Sequence, residues 1–239
     1  MRTRENALKK LEAGDYEGAV KILNELRTED SNNLDLLIEL ADLYIRQGDP
    51  SKALALMELE EHRFQEQYLF YKHLAAIYTV VNSKKEALKA TQIALNLNPN
   101  NPGLITSLGY VYWYFGDTEK AIAETEKALK LIKTEKEDDE LLLKIKNNLA
   151  YYYAELGKNE KEAREYAELS YRHKEKFGKF KAWYIDVYGY VKMKFAKNTN
   201  EIDESLDLFT EALKEGYPLD TIMVNHLKEA LEKREKLKK

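Results

Sequence analysis

The chain has 239 residues, enough for one sizeable domain or two small ones, and its 44% hydrophobic and 33% charged content suits a folded soluble protein. A formal charge of −4 gives no overall basic field to gather nucleic acid. With no cysteine there is no disulfide framework, no thiolate nucleophile and no cysteine-based zinc site, and only 10 glycines and 4 prolines argue against a sheet with many tight turns.

The opening MRTRENALKKLEAGD, residues 1–15, has no apolar stretch of the secretory kind, so the expected location is the cytoplasm. It reads as a helix with a small residue, Ala7, then Gly14 and Asp15 at a turn, then a second helix bearing Ala19. LADLYIRQGDPSKAL, residues 40–54, shows the same order more fully. Leu37, Leu40, Ala41 and Tyr44 form one stripe at helical spacing. Gly48 suits the left-handed residue that ends a helix, Asp49 can cap the next, and Pro50 suits its first position. Ala53, Leu54, Leu56 and Met57 begin the second stripe.

Farther along, Ala75, Tyr78, Asn82, Ser83 and Ala87 repeat the order, as do Gly109, Tyr112, Gly116, Asp117 and Ala121. Between them, residues 90–116 carry no charge, but NLNPNNPG at 96–103 breaks the run, and its prolines and asparagines would strand backbone groups in lipid. KTEKEDDE, residues 133–140, is an insertion expected to form a longer loop or an extra helical turn. NLAYYYAELGKNEKEA, residues 148–163, is a fifth copy with one extra residue in its turn. A sixth, residues 182–215, has Gly189 as its small residue, Ser205, Phe209 and Ala212 in its second helix, and a turn stretched by KNTN at 197–200. The end, residues 219–239, is polar enough to be a terminal helix with one wet face.

Ala19, Ala53, Ala87 and Ala121 lie 34 residues apart, with the turn, cap and small positions in register. On LGYVY at 108–112, GDYEGA at 14–19, GDTEKA at 116–121 and ALNLNP at 94–99, the chain resembles the tetratricopeptide repeat family. The resemblance implies an all-α superhelical solenoid forming a single domain over residues 1–239. It has about six hairpins (2–33, 34–67, 68–101, 102–135, 141–176, 181–217) and a capping helix at 219–238. It also implies that the first helix of each pair lines an inner groove. It names no particular partner.

No catalytic residue, cofactor site or metal site is expected. His62, His73, His173 and His226 are scattered without HExxH spacing, and Glu60–Glu61 and Asp138–Asp139 sit in charged surroundings typical of solvated faces. No glycine-rich phosphate loop and no GxSxG elbow occurs. The basic end KREKLKK is interleaved from Glu229 onward with glutamates and reads as a solubilising cap.

Within each first helix a second stripe is rotated away from the packing stripe and is expected to face the groove. It holds Asp35, Ile38, Asp42 and Ile45, then Leu69, Lys72, Ala76 and Thr79, then Thr106, Tyr110 and Trp113 flanked by Tyr114. Lys144, Asn147, Tyr151 and Ala154 follow, then Trp183, Asp186, Tyr190 and Met193. The residues expected to bind a partner are Asp42, Lys72, Thr106, Tyr110, Trp113, Lys144, Asn147, Asn148, Tyr151, Trp183 and Tyr190. For Tyr110 and Tyr151 two readings stay open, contact with a ligand or packing of ring on ring; Tyr44, Tyr78, Tyr112 and Tyr153 read as core. The two-carboxylate clamp of chaperone-binding family members maps onto Lys72, Ala76, Ser107, Lys144 and Asn148, and only the two lysines match. The expected function is a non-enzymatic adaptor that binds an extended or helical protein segment, with a self-associating scaffold as the alternative. The partner is a protein or peptide, not nucleic acid or membrane, and the chain a monomer or weak homo-oligomer. A weaker third reading has the fifth and sixth repeats moving when a peptide binds.

Overall fold

A computed structural model of the protein describes residues 3–133, 136–217 and 221–238. Among the described residues the regular structure is entirely helical. The helices are α1 (Arg4–Glu12), α2 (Tyr16–Glu29), α3 (Leu34–Arg46), α4 (Pro50–Phe64), α5 (Tyr68–Val80), α6 (Lys84–Leu97) and α7 (Pro102–Tyr114). They continue as α8 (Thr118–Leu131), α9 (Glu140–Leu156), α10 (Glu160–Arg172), a 3-10 segment (Lys174–Phe180), α11 (Lys181–Phe195), α12 (Thr199–Lys214) and α13 (Thr221–Leu237).

Each boundary has a local cause. A new helix leaves its first backbone N–H groups without partners, and a short polar side chain accepts from one of them. Asp15 accepts from Gly18 N at 2.9 Å, Asp49 from Lys52 N at 3.1 Å, and Asn101 from both Gly103 N and Leu104 N at 3.0 and 3.2 Å. Asp139 accepts from Leu142 N at 3.0 Å, which starts α9 after the insertion, whose residues 134–135 lie outside the described residues. Ser83 occupies the expected cap position before α6, but its hydroxyl makes no capping bond. Gly14, Gly48, Asn82 and Gly116 all adopt positive φ between 61° and 81°, as the turn requires. The extra residue of the fifth turn is taken up by two left-handed residues, Gly157 at φ 64° and Asn159 at φ 50°.

The chain divides into two compact units, Met1–Phe115 and Gly116–Lys239. In the first unit each helix packs on its neighbours in sequence, and the leading helices α3, α5 and α7 also pack side by side. Small residues permit this closeness: Ala7 and Ala19 are buried beside Leu23, Leu36 and Leu40, and Ala41, Ala53 and Ala75 beside Leu37, Met57, Phe64, Phe70 and Leu74. The second unit repeats the scheme, with α9 beside α11, and Ala150, Ala163, Ile185, Val187, Phe209 and Ala212 buried. The 3-10 segment was not anticipated; it lays Phe177 against Tyr184 with ring centroids 3.7 Å apart.

The four core tyrosines are half-buried or buried, and two use their hydroxyls on the preceding hairpin. Tyr78 donates to Glu58 at 2.7 Å and Tyr153 to Glu126 at 2.7 Å, which supplies a partner for the polar end of each ring.

Candidate interaction surfaces

In the first unit the expected inner stripe is partly open. Asp42 on α3 is exposed and Lys72 on α5 half-buried. Both, with Asp35, lie near enough to the His73 imidazole for their charges to act on it. Burial pulls His73 below its ordinary pKa, the two aspartates oppose that, and Lys72 reinforces it. Thr79 and Thr106 differ from expectation. They are buried, and their hydroxyls donate to carbonyls of their own helices, Thr79 to Ala75 at 2.8 Å and Thr106 to Pro102 at 2.7 Å. A threonine that satisfies itself one turn back offers no donor to a visitor. Ser107 likewise donates to Gly103 O at 2.9 Å, which removes one element of the clamp.

Helix α7 brings three rings together. Tyr110, Trp113 and Tyr114 stand three and four residues apart, so one helical face carries them all. Tyr110 lies 5.6 Å from Trp113 and 6.2 Å from Tyr114, centroid to centroid. Tyr110 is 41% exposed, Tyr114 42%, and Trp113 half-buried. Burial, followed by the neighbouring Tyr114, raises the Tyr110 pKa, so its hydroxyl remains a neutral donor at physiological pH.

The second unit is closed. Tyr151 on α9 and Tyr190 on α11 stack with centroids 4.7 Å apart, and both are only 5% exposed. Trp183 lies 5.7 Å from Tyr151 on one side and stacks on Tyr217 at 6.1 Å on the other. His226 of α13 covers the end of this column, 4.3 Å from the Tyr190 ring. Its Nδ1 donates to Asp186 Oδ1 at 2.9 Å, and its Nε2 lies 3.3 Å from the Tyr151 hydroxyl. Burial drives the pKa of Tyr151 and of Tyr190 upward.

Asn147, Tyr151 and Tyr190 are therefore buried, the two tyrosines against each other and against His226 of the chain's own last helix. Asp186, Met193 and Ala154 of the same stripe are buried too. Lys144 remains exposed, while Asn148 and Trp183 are half-buried. The signal for this closure was present as Met223, His226 and Ala230, spaced three and four apart, but two small or polar members among charged neighbours make a faint stripe.

Among the described residues no group of three histidine or acidic side chains could hold a metal ion, and no helix is long and apolar enough to cross a membrane. Residues 10–68 match a family model described as Tetratricopeptide repeat. In fold the chain is similar to MamA, with 25% identity and a TM-score of 0.51 over 72% of this chain and 96% of that one. It is similar to TTC0263, a thermophilic TPR protein of Thermus thermophilus, at 19% identity and a TM-score of 0.53, covering 96% of this chain and all of that one. It also matches a chain of the APC/C hetero-tetramer Cut9–Hcn1 at 19% identity and a TM-score of 0.71, over 95% of this chain and 42% of that one. No curated protein matches it in sequence.

Proposed function

We propose that this chain, a tetratricopeptide-repeat protein, is a non-enzymatic adaptor that docks an extended or helical segment of a partner protein against α7. The observation that carries this reading is the cluster of Tyr110, Trp113 and Tyr114, two of its rings more than a third exposed on a helix without a charged residue. Rings of this kind bury large area while freezing few rotamers, so they dominate contact energies. Asp35, Asp42 and Lys72 in the same unit supply charges of both signs to orient a segment laid across them. An affinity near micromolar, about 8 kcal/mol, suits a transient module.

Affinity capture from native lysate tests this with the wild-type chain and with Tyr110→Ala plus Trp113→Ala. Loss of two anchor rings costs at least about 2 kcal/mol, a roughly thirty-fold drop in affinity, and the recovered partner should disappear. Equal recovery by both chains would remove α7 from the mechanism. The same exposed, uncharged helix favours one alternative, association of two copies through residues 90–116. Light scattering decides between them: a strict monomer at high concentration disposes of self-assembly.

A further inference from the structure

Helix α13 packs chiefly on α12 and reaches α11 through His226 and Lys233, without the character of a core element. Three of its 17 positions are buried, Met223, His226 and Ala230, against ten of 17 in α9. One of the three is a histidine and one an alanine, with Ile222, Leu227 and Leu237 half-buried beside them. Polar contacts around its seat also hold the helix. Glu229 pairs with Lys194 at 2.7 Å and Arg234 with Asp203 at 2.6 Å. The Lys233 ammonium donates to the carbonyls of Met193 and Lys194 at 2.9 and 2.6 Å, closing the open end of α11. On α9, one turn before Tyr151, Asn147 is 1% exposed with neither amide atom hydrogen-bonded, and the Asp186 carboxylate is buried against His226. A buried amide without partners and a buried carboxylate are both better served by water or by a ligand richer in donors.

We infer that this face is a helix-binding groove, that α13 is its resident occupant, and that an amphipathic helix of a partner protein with α13's own pattern displaces it. The groove specifies that pattern. It takes an apolar residue of methionine size, then a donor three positions on to meet Asp186. A small residue follows four positions later, preceded by an acid for Lys194, and a base three further on reaches the carbonyl end of α11. The inference rests on contacts inside the second unit and stands apart from the reading of α7.

The probe is a fluorescein-labelled peptide of residues 221–238, titrated into the full chain and followed by anisotropy. Glu229→Lys with Arg234→Glu breaks two of the pairs that seat α13. Freed of its competitor, the groove of that variant should bind the peptide about ten-fold tighter than wild type or more. A peptide carrying His226→Ala should bind about five-fold more weakly than the unaltered one. Hydrogen exchange on the wild-type chain needs no variant: excess peptide should speed exchange along α13 and leave α9 and α11 unchanged. Failure of the peptide to bind either chain, equal binding to both, or unaltered α13 exchange overturns the inference. A variant that forms a stable dimer without peptide overturns the partner assignment and gives the groove to a second copy's α13.

Discussion

At Gly189 an added Cβ would stand 2.9 Å from Cε1 of Phe209 and 3.1 Å from Cβ of Leu208. Helices α11 and α12 thus meet at a separation that admits only hydrogen at this point. Gly189→Ala gains about 1 kcal/mol of helix propensity but must push the Phe209 ring aside, and overpacking of this kind costs about 1–3 kcal/mol. The expected outcome is a net loss of about 1 kcal/mol in urea unfolding, and a variant more stable than wild type would contradict the packing. His73 allows a second test. Its folded pKa lies below its ordinary value because burial outweighs Asp42 and Asp35, so the unfolded chain binds the proton more readily. Stability should therefore be full above about pH 6.5 and fall as the pH drops below it, with a slope from this one group of at most about 1.4 kcal/mol per pH unit. His73→Gln should remove that share of the acid sensitivity; identical pH profiles for the two chains would show that the imidazole titrates as freely folded as unfolded.

At the scale of the helix, the capping positions separate what a residue type promises from what its geometry delivers. Asn101 accepts from two backbone N–H groups at the start of α7, the helix that carries the exposed rings, whereas Ser83 caps nothing at the start of α6. Asn101→Ala should cost about 1 kcal/mol in thermal or denaturant unfolding, and Ser83→Ala only a few tenths. The reverse order would contradict the hydrogen bonding described. The contrast also marks how far the sequence could be read. Helix ends, left-handed turns and small packing residues depend on neighbours within about four positions, so the 34-residue register exposed them. The 3-10 segment Lys174–Phe180 has no such signature, because Gly178 and the stacking of Phe177 on Tyr184 act through contacts local periodicity does not describe. The open or closed state of the inner stripe lay farther out of reach. His226 meets Asp186 across 40 positions and Tyr151 across 75, so nothing near Tyr151 announces that its ring is covered. The exposure of Tyr110 was easier to anticipate, because its helix carries no charge and more rings than its packing face can take.

At the scale of the whole chain, repeats that pack chiefly on their sequence neighbours give stability a local character, and distant hairpins need not unfold together. Each of the two compact units, Met1–Phe115 and Gly116–Lys239, has its own buried residues. Calorimetry measures the size of the cooperative block. At about 0.7 kcal/mol per residue near 60 °C, the full chain should absorb roughly 170 kcal/mol on unfolding, and either unit alone roughly 80–90 kcal/mol. If the units are the blocks, the van't Hoff enthalpy should approach the smaller figure while the calorimetric enthalpy keeps the larger, a ratio near two. Gly189→Ala should then lower the part of the transition that belongs to the second unit and leave the rest in place. A single transition with equal enthalpies, shifted as a whole by that substitution, would show that the helices transmit their packing along the entire chain.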